Sequence, residues 1–140
     1  MAQPQLYLLF NGNCREAFDF YSRTLGGKIE FMQTFGETPG GDGGGAPSDQ
    51  IMHISMDVNG AKIMGSDAPG EHAVTIGNNF SISVEADTEA GVDKLYNALA
   101  EGGQSTMPPS ETFWSKRFGM CTDKYGVNWM VSYAEVKQPA

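Results

Sequence analysis

The sequence predicts an α+β fold of two βαβββ modules, their sheets pairing into one curved mixed sheet around a cleft, with the helices outside. Three observations carry this. The pattern of apolar residues runs strand, helix, strand, strand, strand, and then repeats. Tyr21 and Leu25 before Gly26-Gly27 are matched by Tyr96 and Leu99 before Gly102-Gly103. The turn glycines of two hairpins, Gly60 and Gly126, lie 66 positions apart. The reading is one domain over 1–140, with module 1 at about 5–68, a linker at 69–78 and module 2 at about 79–133.

The first module opens on the short apolar run Leu6 to Phe10, a buried strand. Asn11-Gly12-Asn13 is turn chemistry, and Asn13 followed by Glu16 reads as a helix cap with its capping-box partner. Ala17, Phe18, Tyr21 and Leu25 fall at helical spacing, so a helix runs from about Cys14 to Leu25. Gly26-Gly27 ends it. Lys28 to Phe35 is the second strand. The segment 36–49 is a glycine-rich loop, expected to be mobile; no Gly-Lys-Ser/Thr follows it, so it is not a phosphate-binding loop.

Ile51 to Val58 alternates, with Met52, Ile54, Met56 and Val58 on one face and Ile51, His53, Ser55 and Asp57 on the other. Asn59-Gly60 supplies the two positive-φ residues of a tight hairpin turn, and Ala61 to Ser66 returns. In the second module Phe80, Ile82 and Val84 mark a half-buried strand. Asp87 caps a helix carrying Val92, Leu95, Tyr96 and Leu99. Gln104 to Met107 starts a strand that Pro108-Pro109 interrupts. Phe113 to Thr122 and Val127 to Tyr133 are the last two strands, with Asn128, Met130 and Ser132 facing the cleft. The tail from Ala134 is expected to fray.

Composition limits the function. The 140 residues carry a net charge of −8, which disfavours nucleic acid and anionic membrane surfaces. The N-terminus lacks the pattern of a signal peptide and no stretch is apolar enough to span a bilayer. Cys14 and Cys121 form no metal motif, and the expected setting is cytoplasmic with both as thiols.

The sequence resembles the vicinal oxygen chelate superfamily, which includes glyoxalase I, bleomycin-resistance proteins, fosfomycin-resistance enzymes and extradiol dioxygenases. It is most similar to the PhnB-like branch, labelled in genomes as 3-demethylubiquinone-9 3-methyltransferase-like. The residues that carry the likeness are Tyr7-Leu8 with Phe10-Asn11-Gly12-Asn13, then Glu16-Ala17, Phe20-Tyr21, Met52-His53, Met64 and Ser66-Asp67. Trp114, Phe118-Gly119, Asp123, Tyr125-Gly126-Val127 and Trp129 complete it, so it spans nearly the whole chain. It also implies a homodimer.

In metal-dependent members, cleft-facing positions on the first and fourth strands of each module carry the ligands. By that resemblance the positions here are Gln5, Met64, Asn79 and Met130. Two amides and two thioethers supply neither imidazole nor carboxylate, so no metal cofactor is expected. His53 is the candidate catalytic residue, either as a hydrogen-bonded ring lining the cleft or as a general base. His72 lies in the linker and is expected to be exposed. Trp114 and Phe118, read as sharing a strand face, pack the core or line the cleft for a planar or apolar ligand; Trp129 belongs to the core. Cys14 at a helix N-terminus is a candidate for a lowered thiol pKa, without a partner histidine. Lys116 and Arg117 are read as solvated rather than as substrate anchors.

The expected function is a metal-free protein that binds a small, partly apolar molecule through Gln5, His53, Met64, Asn79, Trp114, Phe118 and Met130. The alternative is a metal-dependent lyase, isomerase or dioxygenase of the glyoxalase type. A methyltransferase is the weakest reading, because no glycine-rich nucleotide-binding turn joins a strand to a helix.

Overall fold

The computed structural model describes residues 2–37 and 47–133. The chain divides into two compact units, 1–75 and 76–140. The first contains β1 (Leu6–Phe10), α1 (Cys14–Leu25), β2 (Lys28–Thr34), β3 (Ile51–Val58) and β4 (Ala61–Asp67). The second contains β5 (Ile82–Ala86), α2 (Glu89–Ala100), β6 (Gln104–Ser110), β7 (Phe118–Thr122) and β8 (Asn128–Tyr133). Each unit is thus one βαβββ module. The sheet orders are β1-β4-β3-β2 and β5-β8-β7-β6. In both, the first strand pairs in parallel with the fourth and the remaining pairs are antiparallel.

The repeat is unequal in one place. Lys28 of β2 corresponds to Gln104 of β6, 76 positions on, whereas Ile51 of β3 corresponds to Phe118 of β7, 67 positions on. The first module therefore has nine more residues between its second and third strands, where the glycine-rich segment lies. Residues 38–46 of that segment, and the tail from Ala134, fall outside the described residues.

Alternation decides which face each helix covers. In the first unit Leu8, Phe10, Ile54, Met56 and Ile63 are buried with Ala17, Phe18 and Tyr21 of α1. Phe18 meets Phe10 and Tyr21 edge-on at centroid distances of 6.2 and 5.9 Å. Its ring lies directly over β4 at Gly65, where a Cβ would come within 2.7 Å of Phe18 Cε1. Gly119 of β7 has the same part beneath Tyr96 of α2, whose Cδ1 lies 3.0 Å from a Cβ built there. Asn59 and Gly60 join β3 to β4 at φ 51° and 89°, as the primed hairpin turn requires.

Several boundaries differ from the sequence reading. Asn13 stands at the start of α1 but its side chain makes no capping bond. Asp67, at the end of β4, supplies the carboxylate instead: Oδ1 accepts from Gly12 N at 2.9 Å and Cys14 N at 3.0 Å, and Oδ2 accepts from Ile51 N at 2.9 Å. Thr88, not Asp87, caps α2, accepting from Gly91 N at 2.9 Å. Strand β6 continues through Pro108-Pro109, because an edge strand has one row of unpaired backbone groups where proline loses no ladder bond. Strand β7 starts at Phe118 rather than Phe113, since residues 113–117 bend back on themselves through Thr112 and Ser115. Arg117, at the surface, is bidentate to Asp93 of α2 at 2.7 and 3.1 Å. The linker includes a short 3₁₀ turn, Gly70–His72, in which His72 is exposed.

The cysteine reading also changes. Burial pushes the Cys14 thiol far above the ordinary range, with Asp67 adding to the effect and Arg15 opposing it. Cys121 is pushed up to about 11 by burial and then by Asp123. The helix N-terminus does not activate Cys14, because its free backbone N–H already faces a carboxylate.

Two predictions follow from this packing. Asp67→Asn turns an amide N–H₂ toward backbone donors, and should lower unfolding free energy by about 2–3 kcal/mol in denaturant titrations. The exposed Asp19→Asn should stay within about 0.5 kcal/mol of the parent; equal losses for the two would dismiss the role given to Asp67. For the thiols, the native state keeps protons that the unfolded chain releases above roughly pH 8.5. Stability is therefore level below that pH and falls as pH rises from the unfolded toward the folded values. A Cys14→Ala/Cys121→Ala variant should lack this part of the alkaline slope, and neither native thiol should react with a disulfide reagent at neutral pH.

Candidate functional site

The face of the first sheet that α1 leaves uncovered is set by the same alternation. Tyr7 stands opposite Met64, Met64 opposite Ser55, and Ser55 opposite Phe31, so these four form one row across the sheet. His53 is the next residue on this face of β3, opposite Gln33 of β2. Tyr7 leans across to it: Tyr7 Oη and His53 Nδ1 are 3.0 Å apart, a hydrogen bond whose direction follows the imidazole tautomer. The two rings stack at 5.6 Å and 26°. On the other side Phe31 lies 5.8 Å from the imidazole at 45°. His53 is therefore held between two aromatic rings on a solvent-facing surface. Charged groups lie toward the hairpin end, where Lys28, Asp57 and Lys62 share a row and Lys62 pairs with Glu30 at 3.2 Å.

In the second unit the corresponding face carries Ser83 opposite Met130, Met130 opposite Met120, and Met120 opposite Met107. Phe118 lies on this face opposite Ser132 and is 5% exposed. Trp114 is not on a strand. It sits in the connection before β7, 48% exposed, and meets the Phe118 ring edge-on at 5.4 Å. Trp129 is fully buried on the helix side, its Nε1 donating to Asp123 Oδ2 at 2.8 Å. Beside β8 the face opens into a cleft of about 600 Å³. Thr122, Asn128 and Gln104 line it, together with Ser81 and the backbone leading into β5.

Gln5 and Asn79 are exposed and precede their strands. The residues opposite Met64 and Met130 are instead Tyr7 and Ser83, which sequence reasoning passed over. Strand register would have found them. Tyr7 and Ser83 are 76 positions apart, like β2 and β6; Tyr7 lies six residues before Asn13 and Ser83 five before Thr88, so counting eight back from each helix cap overshoots both. At these positions the side chains are two hydroxyls and two thioethers, which do not fit a zinc, iron or manganese ion, because they offer neither a carboxylate nor an imidazole. His53 adds a single imidazole whose Nδ1 is already bonded to Tyr7. Among the described residues, no three His, Cys, Asp or Glu side chains gather into a metal-holding group. No helix among them is long and apolar enough to cross a membrane.

Comparison with known proteins places this architecture. The profile of the family described as 3-demethylubiquinone-9 3-methyltransferase matches residues 3–132. The Escherichia coli protein YjdN is 34% identical, with 95% of each chain covered. A Pseudomonas aeruginosa protein of known crystal structure is 43% identical, covering 95% of this chain and 98% of its own, with a TM-score of 0.82. The PhnB protein of Bacillus cereus is 26% identical, covering 95% and 100%, with a TM-score of 0.78. At 10% identity the fosfomycin resistance protein FosX of Mesorhizobium loti shares the fold alone, with a TM-score of 0.64. The chain therefore belongs to the family described as 3-demethylubiquinone-9 3-methyltransferase.

Proposed function

We propose that the protein binds a small, partly apolar molecule and does so without a metal ion. One observation carries the reading: Met64 and Met130, two of the four positions where the resemblance implies metal ligands, are thioethers whose strand partners are the hydroxyl side chains Tyr7 and Ser83. Thioethers are soft, weak donors that compete poorly with water for hard or borderline cations. They are, however, good contact surface, because methionine is polarizable and adapts its rotamers to irregular ligands. Exposed Tyr7, Leu9 and Phe31 give the first unit further apolar surface, and the hydrogen-bonded imidazole gives it one polar anchor. The metal-dependent lyase, isomerase or dioxygenase reading lacks its donor set. The methyltransferase reading lacks its cofactor turn, since the N–H groups of the β1–α1 turn are taken by Asp67.

Metal analysis of protein purified without chelator or affinity-column metal tests this directly. Fewer than about 0.1 zinc, iron, manganese or nickel ions per chain are expected at a site without anionic donors. Stoichiometric metal lost together in a Met64→Ala/Met130→Ala variant would overturn the proposal.

A second reading rests on the Tyr7–His53 contact, which suits metal-free acid–base chemistry. A hydroxyl donating to Nδ1 leaves the proton on Nε2, so the outward nitrogen becomes a donor of defined direction. In nitrogen NMR spectra at alkaline pH, His53 should hold the Nε2–H tautomer in the parent chain and a mixture of tautomers in Tyr7→Phe. A mixture in both would show that Tyr7 does not orient the ring and would end this reading.

A further inference from the structure

We propose that the cleft of the second unit takes an uncharged molecule that carries amide or hydroxyl groups on an apolar body, hydrogen-bonded by Asn78, Ser81 and Gln104. The inference rests on the binding-protein reading and narrows it to a ligand class. The cleft measures about 600 Å³, within the size range of small-molecule sites. Its walls are unusual for this chain. Although the sequence has 17 acidic and 9 basic residues, no Asp, Glu, Lys, Arg or His is among the described residues that line the cleft. Cys121 is its one titratable wall residue, and burial keeps that thiol protonated. An ion entering here would give up water without meeting a countercharge.

The polar wall residues divide into two kinds. Asn128 holds the site in shape: Nδ2 donates to Phe80 O at 3.1 Å and Gly77 O at 3.3 Å, and Oδ1 accepts from Thr122 Oγ1 at 2.8 Å. This ties the segment before β5 to β7 and β8. Thr106 is likewise engaged, donating to Met120 O at 2.9 Å. The side chains of Asn78, Ser81 and Gln104 make no hydrogen bond among the described residues and face solvent at the cleft. Two primary amides and a hydroxyl offer donors and acceptors together. That mixture matches an amide, lactam or alcohol, each of which needs both. An anion would need donors only, and a cation acceptors only. Met120 and Ile76 supply the apolar contact for the rest of the molecule.

Matched probes that differ in charge test the class. Nicotinamide and 3-hydroxymethylpyridine are the neutral members, and nicotinate is the anion of the same ring. Each is titrated into the full chain to about 10 mM, a range suited to fragment-sized ligands, while backbone amide resonances are followed. Both neutral probes are expected to move resonances of 76–81, 104–106 and 120–128 saturably, and nicotinate to bind about tenfold more weakly. Ser81→Ala/Gln104→Ala, two exposed truncations, should weaken nicotinamide about tenfold with the fold unchanged. Equal or tighter nicotinate binding overturns the class, as does a double variant that binds like the parent. Shifts confined to Tyr7, Phe31 and His53, or a cleft silent to both neutral probes, overturn the site. Those results leave the wider binding reading standing, which the metal analysis tests on its own.

Discussion

The Asp67 carboxylate lies in the interior of the first unit, 3% exposed, and accepts backbone N–H groups from three places in the chain. Gly12 belongs to the turn after β1, Cys14 is the first residue of α1, and Ile51 opens β3. One side chain at the end of β4 therefore sets where the helix starts and where the central strand begins. The same solution recurs in the second unit at Asp123, 2% exposed, which accepts from Tyr125 N and Val127 N at 2.8 and 3.0 Å and from the Trp129 indole. Here the carboxylate shapes a hairpin turn instead of a helix start. A buried carboxylate is stable only with its lone pairs satisfied, so each aspartate demands its particular donors and excludes neighbouring registers.

With register held in this way, the division of each sheet into two faces follows. Phe18 and Tyr21 of α1, and Val92, Tyr96 and Leu99 of α2, cover one side. Gly65 and Gly119 let an aromatic ring rest almost on the strand backbone. What remains on the other face is what the chain can offer a ligand. In the first unit that is an imidazole between two aromatic rings with a thioether in the adjoining row. In the second it is methionine beside a cleft of neutral hydrogen-bonding groups. The two modules share their topology and differ in chemistry, as expected where a fold is retained and the site varies.

The family description speaks of a methyltransferase, and two backbone N–H groups of the β1–α1 turn, those of Gly12 and Cys14, are turned inward to Asp67. A cofactor held at a strand–helix turn needs backbone N–H groups that face outward. In this chain they face Asp67.

The sequence by itself determined the elements, because their signals are local. The αL glycine after α1, the Asn59-Gly60 turn, the 3.6-residue spacing of Phe18 and Tyr21, and the alternation of β3 each act over a few residues. The repeat was legible for the same reason, since Gly60 and Gly126 mark equivalent turns. Tertiary structure alone decided the cap of α1, because Asp67 reaches it from 53 residues away. It decided that β6 runs through two prolines, because edge position depends on strand order and not on strand composition. It also decided that Tyr7 and Ser83 stand beside Met64 and Met130, a matter of register between strands more than forty residues apart in sequence. The Tyr7–His53 pair and the uncharged cleft were hidden for that same reason: contacts among β1, β3 and β2, or among β5, β7 and β8, form only once the long loops between them have closed.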